Sequence, residues 1–161
     1  MDFITAIKTC FSKYATFHGR AGRAEYWWWV LFAALMNLAV SMSRMTAIAT
    51  IAGIALFLPN LAVSVRRLHD VNRSGWFLLL PAPFWALAGI FGAIYFLGRA
   101  GVLAPNATSG MAFAIFALIS IAASLIVLVW FCQRGTEGPN QYGAAPFASL
   151  ATLSTPTADN I

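Results

Sequence analysis

The sequence predicts an all-α integral membrane protein, a bundle of four transmembrane helices preceded by an amphipathic helix at the membrane interface. Hydrophobic residues make up 60% of the 161 residues, whereas only 9% are Asp, Glu, Lys or Arg. A soluble domain carries roughly a quarter charged residues. Because a soluble fold of this size could not cover its surface with so few charges, much of the surface is expected to face lipid.

The first 17 residues predict a separate, short helix. Apolar side chains recur there at helical spacing, with polar residues between them: Phe3, Ile7, Cys10, Phe11, Tyr14 and Phe17. Such a helix either lies in the interface with its lysines toward anionic headgroups or packs against the spanning helices. Gly19 is a suitable stop.

Four long stretches without ionisable side chains predict the spanning helices, at about residues 26–43, 45–65, 75–98 and 111–133. Crossing the hydrocarbon takes about 20 apolar residues. The last helix is expected to begin near Met111, because turn-forming residues are frequent between Gly98 and Gly110. Residues 1–147 would form a single membrane domain, and the tail at 148–161, with little charge and many small residues, is predicted to be disordered.

The distribution of positive charge predicts the orientation. Eight Lys or Arg residues lie before the first span, between the second and third, and after the fourth, whereas the other two loops carry only Arg44 and Arg99. Positive residues accumulate on the cytoplasmic side, so both termini are expected in the cytoplasm. Five of the six tryptophans fall at the same boundary, where amphipathic rings anchor: Trp27, Trp28, Trp29, Trp76 and Trp130.

Several functional classes are not indicated. The basic residues flank apolar runs and do not form a soluble basic face, so no nucleic-acid partner is expected. Cys10 and Cys132 do not show metal-ligand spacing with histidine, and no nucleophile motif or phosphate-binding glycine loop is present. We therefore expect no metal, no cofactor and no catalytic residues.

Three polar clusters, residues 17–29, 66–76 and 134–143, carry a family resemblance. At these clusters the chain resembles a bacterial inner-membrane family, domain-of-unknown-function family 805 (the YhaH-like proteins), with the pattern GRAxRxEYWW, RRLHDxxRSGWW and GTxGPNxYGxxP. All three blocks occur in order, over roughly residues 11–147. Phe77 replaces the second tryptophan, and two alanines precede Pro146. The resemblance implies a multi-span protein of the bacterial inner (plasma) membrane and no established activity.

The predicted topology brings the three clusters to one membrane face, where they would form a polar cap. The candidate residues of this cap are Arg20, Arg23, Glu25, Arg66, Arg67, His69, Asp70, Arg73, Glu137 and Asn140. One interpretation is that the arginines set the orientation, with Asp70 as a local partner. The other is that they bind anionic lipid headgroups or a protein partner, while the three acids hold the cap together.

The leading functional hypothesis is therefore a non-enzymatic lipid- or partner-binding membrane protein. An alternative is an oligomeric channel or small-molecule transporter, in which Pro59/Asn60 and Pro81/Pro83 mark binding sites as well as kinks. Small residues four apart would serve a homo-oligomer or pack the bundle, and Asn37 would hydrogen-bond a neighbouring helix.

A further alternative is an enzyme that acts on a lipid-linked phosphate through His69. Neighbouring residues on a helix do not face each other, so Asp70 is poorly placed to orient that histidine.

Overall fold

The computed structural model describes residues 1–42, 45–104 and 107–146, and these residues form five α-helices and a short 3-10 helix. The all-α prediction is confirmed. The elements are α1 (Phe3–Ser12), α2 (Arg23–Met42), α3 (Thr46–Asp70), the 3-10 helix Gly75–Leu79, α4 (Ala82–Arg99) and α5 (Ala107–Cys132). The tail predicted to be disordered, residues 148–161, lies outside the described residues.

Three segments of the described chain are long and apolar enough to cross a membrane: Thr46–Asp70, Gly75–Arg99 and Ala107–Cys132. Most side chains along them are exposed, many of them large and apolar, as expected of helices surrounded by lipid. The first predicted span corresponds to α2, which has 20 residues. α2 is not among these three segments, and it carries Arg23 and Glu25 in its first turn.

The described residues form two compact units, the first within Met1–Gly75 and from Phe131 to Pro146, the second within Trp76–Trp130. In the first unit α1 packs against α2. Edge-to-face ring contacts join Phe3 to Trp28, at 5.6 Å between centroids, and Phe11 to Trp29, at 5.3 Å. Such pairs stabilise a contact beyond the area that they bury. One face of α1 is therefore occupied by α2.

The end of α1 differs from the sequence prediction, because the helix stops at Ser12 and does not continue to residue 17. Two residues after the end of the helix, the Tyr14 hydroxyl donates a hydrogen bond to the Ala55 carbonyl of α3. That carbonyl lacks its usual helical partner, because Pro59, four residues later, has no N–H. Tyr14 thus supplies the donor that Pro59 removes, and α3 runs unbroken through the proline.

The prolines of the third predicted span correct a second expectation. Pro81 caps α4 and Pro83 lies in its first turn, so neither interrupts the helix interior. The predicted span at 75–98 is instead a 3-10 helix, a short turn and then α4. A proline in the first helical turn removes no intrahelical bond, because the N–H groups there have no carbonyl partner in any case.

In the second unit, α4 and α5 contact each other through aromatic and small residues. The rings of Phe91 and Phe116 stack, with centroids 5.6 Å apart. A Cβ added to Gly110 would lie 2.8 Å from the Tyr95 ring. α5 begins at Ala107 and not near Met111, so Gly110, where the sequence suggested a turn, lies inside the helix and against the Tyr95 ring.

Polar side chains on the helices bond mainly to their own helix. Asn37, considered above for a bond to a neighbouring helix, donates instead to the Ala33 carbonyl at 2.7 Å. Ser64 and Ser120 make the same contact four residues back, each at 2.7 Å. These bonds satisfy a polar group within one helix, which leaves apolar surface for lipid or for packing.

Candidate functional site: the motif junction

The structure brings the three motif blocks together in the first unit. We call this region the motif junction: the turn before α2 with its first residues (18–25), the end of α3 with the three residues after it (66–73), and the end of α5 with the segment after it (131–143). Its centre is the Asp70 carboxylate. Arg20 reaches one carboxylate oxygen through Nε at 3.0 Å and through Nη2 at 2.9 Å. Arg67 reaches the other oxygen through Nη1 at 2.5 Å.

All three charged side chains of this cluster are withdrawn from solvent, with side-chain exposures of 1% for Arg20, 0% for Arg67 and 5% for Asp70. Burying an ion is costly unless opposite charge and hydrogen bonds replace its water. Here one carboxylate serves two guanidinium groups, so the remaining arginine donors need other acceptors.

Those acceptors are main-chain carbonyls at the end of α5 and in the segment that follows it. Arg20 donates through Nη1 to Gly138 at 2.6 Å and through Nη2 to Thr136 at 2.5 Å. Arg67 donates through Nε to Phe131 at 3.2 Å and through Nη2 to Gln133. The planar fork of arginine suits such multiple contacts. The two arginines therefore fix the path of the third block across the end of α3.

The third block in turn caps the C-terminus of α3. Asn72 adopts a left-handed conformation, with φ 58°, and its N–H bonds back to His69 O, while Arg73 N–H bonds to Leu68 O. This pattern is a Schellman motif with asparagine at the left-handed position. The last helical carbonyls take further donors: Thr136 N–H to Asp70 O at 2.8 Å, and Asn140 Nδ2 to His69 O at 2.9 Å.

Gly135 is required by the closeness of this packing. A Cβ at this position would lie 2.2 Å from Oδ2 of Asp70, a carboxylate that two arginines hold in place. No side chain larger than hydrogen fits without displacing the carboxylate. Gly135 is thus explained by a side-chain contact, whereas Gly138 and Gly143 have positive φ.

A separate ion pair joins α2 to α3, and a thiol of α1 lies beside it. Arg66 of α3 donates to Glu25 of α2 at 2.5 Å, and both side chains are buried. The thiol of Cys10 on α1 lies 4.0 Å from the same carboxylate oxygen. Burial, together with the negative charge of Glu25, raises the pKa of the Cys10 thiol to about 12. The thiol is therefore neutral at physiological pH and a poor nucleophile.

His69 and Asp70 have separate partners. The ring of His69 stacks on Tyr142, with centroids 3.9 Å apart and planes 2° from parallel, and its Nδ1 lies 3.2 Å from Gly19 O. The Asp70 carboxylate is engaged by Arg20 and Arg67. This arrangement does not resemble a dyad in which a carboxylate orients a catalytic imidazole.

The ten candidate residues therefore divide by environment. Arg20, Arg67, His69, Asp70 and Asn140 meet at the end of α3, and Glu25 pairs with Arg66 beside them. Arg23 and Glu137 are exposed, and Arg73 is half-buried. Glu137 takes part in none of the three ion pairs between described residues. Of the three acids expected to pair with arginines, Glu25 and Asp70 therefore do so in the described structure.

Sequence reasoning missed the residues that act through the main chain. Thr136 and the carbonyls from Phe131 to Gly138 bind the arginines and cap α3, but main-chain acceptors have no residue signature. The one available signal was the third block itself, whose Gly135 and Asn140 both prove to make specific contacts. Among the described residues no group of three or more His, Cys, Asp or Glu could hold a metal ion.

Comparisons with known proteins agree with the three blocks. The family described as "Protein of unknown function (DUF805)" matches residues 14–144, a range that contains the first two blocks and the third as far as Ala144. Inner membrane protein YhaI of Escherichia coli (strain K12) is 30% identical over 143 residues, covering 83% of this chain and 88% of YhaI. Inner membrane protein YhaH of the same strain is 31% identical over 144 residues, covering 83% and 89%. Uncharacterized protein YiiR, also of that strain, is 31% identical over 134 residues, covering 80% and 84%. No solved structure matches the chain significantly.

Proposed function

The chain belongs to the DUF805 family, and on that premise we propose that it is a four-span inner-membrane protein that binds anionic lipid headgroups on its cytoplasmic side. Two similar proteins, YhaI and YhaH, are named inner membrane proteins. The three long apolar segments supply three spans and α2 the fourth. With four spans, the eight-to-two distribution of Lys and Arg favours cytoplasmic termini.

The proposed topology is tested by reporter fusions. A fluorescent protein that matures only in the cytoplasm, fused after Gly143, is expected to fluoresce, and one fused in the loop between α4 and α5 is not. An alkaline phosphatase fusion should give the opposite pattern, since it is active only in the periplasm. Phosphatase activity after Gly143 would contradict the orientation, and equal signals at both sites would contradict the number of spans.

The lipid-binding proposal depends on which basic residues of the first unit remain exposed. Arg20, Arg66 and Arg67 are buried in ion pairs with Asp70 and Glu25, so they are not available to an external anion. Among the described residues of this unit, four other basic side chains are exposed, against two exposed acids, Asp2 and Glu137. The four are Lys8, Lys13, Arg23 and Arg134. The exposed surface therefore carries an excess of positive charge, which attracts anionic headgroups.

The test is lipid retention by the purified protein. In mixed micelles of phosphatidylglycerol and phosphatidylcholine with matched acyl chains, native mass spectrometry should detect bound phosphatidylglycerol in excess. Replacing the four exposed basic residues with glutamine should abolish the excess, since each contributes roughly 1 kcal/mol near an anionic surface. The attraction should also weaken as salt rises. Arg99→Gln, an exposed arginine on the predicted opposite side, is the matched control. Equal retention of the two lipids by the unaltered protein would contradict the proposal.

The oligomeric channel and the protein-partner interpretation stay predictions. Gly53 on α3 and Gly89 on α4 have nothing within 4 Å of an added Cβ, so a second helix could approach either of them. That observation alone does not favour a channel over any other assembly.

A further inference from the structure

Two concavities of the first unit meet at Arg23. A polar cleft of about 480 Å³ lies on the motif junction, and an apolar groove of about 570 Å³ runs along α2. The cleft is lined by Arg20, Arg23, Asp70, Arg134, Thr136 and Glu137, among others. The groove is lined by Arg23, Ala24, Trp27, Trp28, Leu31 and Cys132. Since Arg23 lines both, a single molecule with a polar and an apolar part could occupy the two together.

The charges that line the cleft favour a singly charged anion. Three guanidinium groups and two carboxylates line it, which leaves one positive charge in excess. The Asp70 carboxylate is already shared by Arg20 and Arg67, so it does not compensate the others. Arg23 and Arg134 are exposed and opposed by Glu137 alone. Two arginines can contact a phosphodiester through several of its oxygens at once.

The groove has the chemistry of an acyl-chain site. Arg23, Trp27 and Leu31 follow each other at four-residue intervals and therefore lie on one face of α2. Trp27 is 39% exposed and Leu31 43% exposed, although both are large and apolar. Tryptophan beside arginine is typical of the boundary between headgroups and hydrocarbon, where the ring faces the chains and the cation the phosphate.

We infer that one phospholipid with a singly charged phosphodiester headgroup binds here, with its phosphate between Arg23 and Arg134 and one acyl chain along Trp27, Trp28 and Leu31. The inference rests on the proposed lipid binding. It replaces a general charged surface with one site that has two parts, the polar cleft and the apolar groove. Lys8 and Lys13 then contribute to general attraction but not to this site. The buried arginines of the junction position the segment that carries Arg134 and do not contact the lipid.

Cys132 gives a direct test, because it is exposed, lines the groove and can be modified in the folded protein. Phosphatidylglycerol added to the detergent-solubilised full chain should slow the reaction of Cys132 with a maleimide. Phosphatidylcholine with the same chains should not, and neither should glycerophosphoglycerol, which is the charged headgroup without acyl chains. The buried, neutral thiol of Cys10 should not react and so should not obscure the result.

Variants separate the site from the general surface. Arg23→Gln and Arg134→Gln should each weaken the protection by phosphatidylglycerol about fivefold. Leu31→Gln should weaken it through the acyl chain, whereas Lys8→Gln and Lys13→Gln should leave it unchanged. The chain modified at Cys132 should retain less phosphatidylglycerol, a result that needs no substitution and no refolded variant.

The outcomes distinguish the site from the broader proposal. The two-part site is refuted, and general lipid binding stands, if the unaltered protein prefers phosphatidylglycerol but Cys132 is not protected. The same holds if Lys8→Gln and Lys13→Gln remove the preference while the arginine variants keep it. If glycerophosphoglycerol protects as well as the lipid, the cleft binds phosphate without the groove, and the acyl-chain part is refuted. If the unaltered protein shows no lipid preference, both proposals fail.

Discussion

In the motif junction, charged groups and main-chain carbonyls make directional contacts, whereas α4 and α5 contact each other through rings and small residues. Asp70 is bound by two arginines within 3.0 Å, and those arginines also donate to five main-chain carbonyls. In the α4–α5 pair the rings of Phe91 and Phe116 stack, and a long hydrogen bond of 3.4 Å joins Trp85 Nε1 to Ser124 Oγ.

The difference shows which parts of the sequence are restricted to one residue type. A buried ion needs its partner at one distance and one angle, so a single change leaves a charge without compensation. A packed apolar surface tolerates changes that keep its volume. The first unit therefore depends on particular residues in three distant blocks, and the second on size and hydrophobicity.

Neutralising Asp70 should have the largest effect. Asp70→Asn keeps the shape of the side chain but leaves the guanidinium groups of Arg20 and Arg67 buried without a counter-charge. Removing one partner of a buried ion pair lowers the free energy of unfolding by about 3–5 kcal/mol. Urea unfolding in detergent micelles, followed by circular dichroism, would measure the loss.

Two matched controls accompany that variant. Glu137→Gln removes an exposed acid of the same junction, and Ser124→Ala removes the acceptor of the polar contact between α4 and α5. Each should change the free energy of unfolding by less than about 1 kcal/mol. If Asp70→Asn were as stable as either control, the central role of the ion cluster in the first unit would be disproved.

Replacing single glycines with alanine should show the same difference between the two units, with smaller losses of stability. At Gly135 a Cβ would meet Asp70 Oδ2 at 2.2 Å, and at Gly92 it would meet Phe113 Cδ2 at 3.0 Å. At Gly89 nothing lies within 4 Å. Overpacking costs about 1–3 kcal/mol, and we expect Gly135→Ala at the upper end of that range and Gly92→Ala at the lower end.

Gly89→Ala serves as the control, and alanine there should be neutral or stabilising by up to about 1 kcal/mol, because it favours the helix. Thermal unfolding of the three variants in one detergent would rank them. An equal loss of stability in Gly92→Ala and Gly135→Ala would mean that the Asp70 carboxylate can be displaced as readily as the Phe113 ring.

The sequence predicted the helices better than the site, for a physical reason. Apolar runs and flanking charges act over whole helices, so an error at Ser12 or Ala107 shifts a boundary without altering the fold. The topology predicted from the sequence also placed the three blocks on one side of the membrane. It did not show which arginine reaches Asp70, because that depends on the rotation of α3 and on main-chain carbonyls that any residue provides.

Some residue roles were inaccessible for the same reason. Arg66 and Arg67 are adjacent in sequence, yet they contact different carboxylates, Glu25 and Asp70, because neighbouring positions on a helix point in different directions. Composition treats the two arginines as equivalent. Only their three-dimensional surroundings distinguish them, and the same holds for Arg23, whose side chain is exposed.

A directional bond outside the junction should have an intermediate effect. Tyr14→Phe removes the hydroxyl that donates to the Ala55 carbonyl, which Pro59 has deprived of its helical donor. An unsatisfied carbonyl beside lipid lowers the free energy of unfolding by about 1–2 kcal/mol. In a Pro59→Ala background the alanine N–H restores the helical bond, so Tyr14→Phe should then cost almost nothing. A double-mutant cycle measures the coupling directly, and an equal loss in both backgrounds would show that the hydroxyl and the proline are unrelated.

At neutral pH the smallest effect is expected at the cysteines, where the reactivity of the thiol is a better measure than stability. Cys132 is exposed and should react with N-ethylmaleimide at neutral pH, whereas Cys10 should react only when the chain unfolds. Burial and Glu25 raise the pKa of the Cys10 thiol from 9.0 to about 12, so folding favours the protonated thiol. Its contribution to stability is complete below pH 9.0 and is lost as the pH rises toward 12. The unaltered chain should therefore lose more stability than Cys10→Ala between those values. Prompt modification of Cys10 in the folded protein would mean that α1 separates readily from α2, and that the edge of the first unit beside Glu25 and Arg66 is open to solvent.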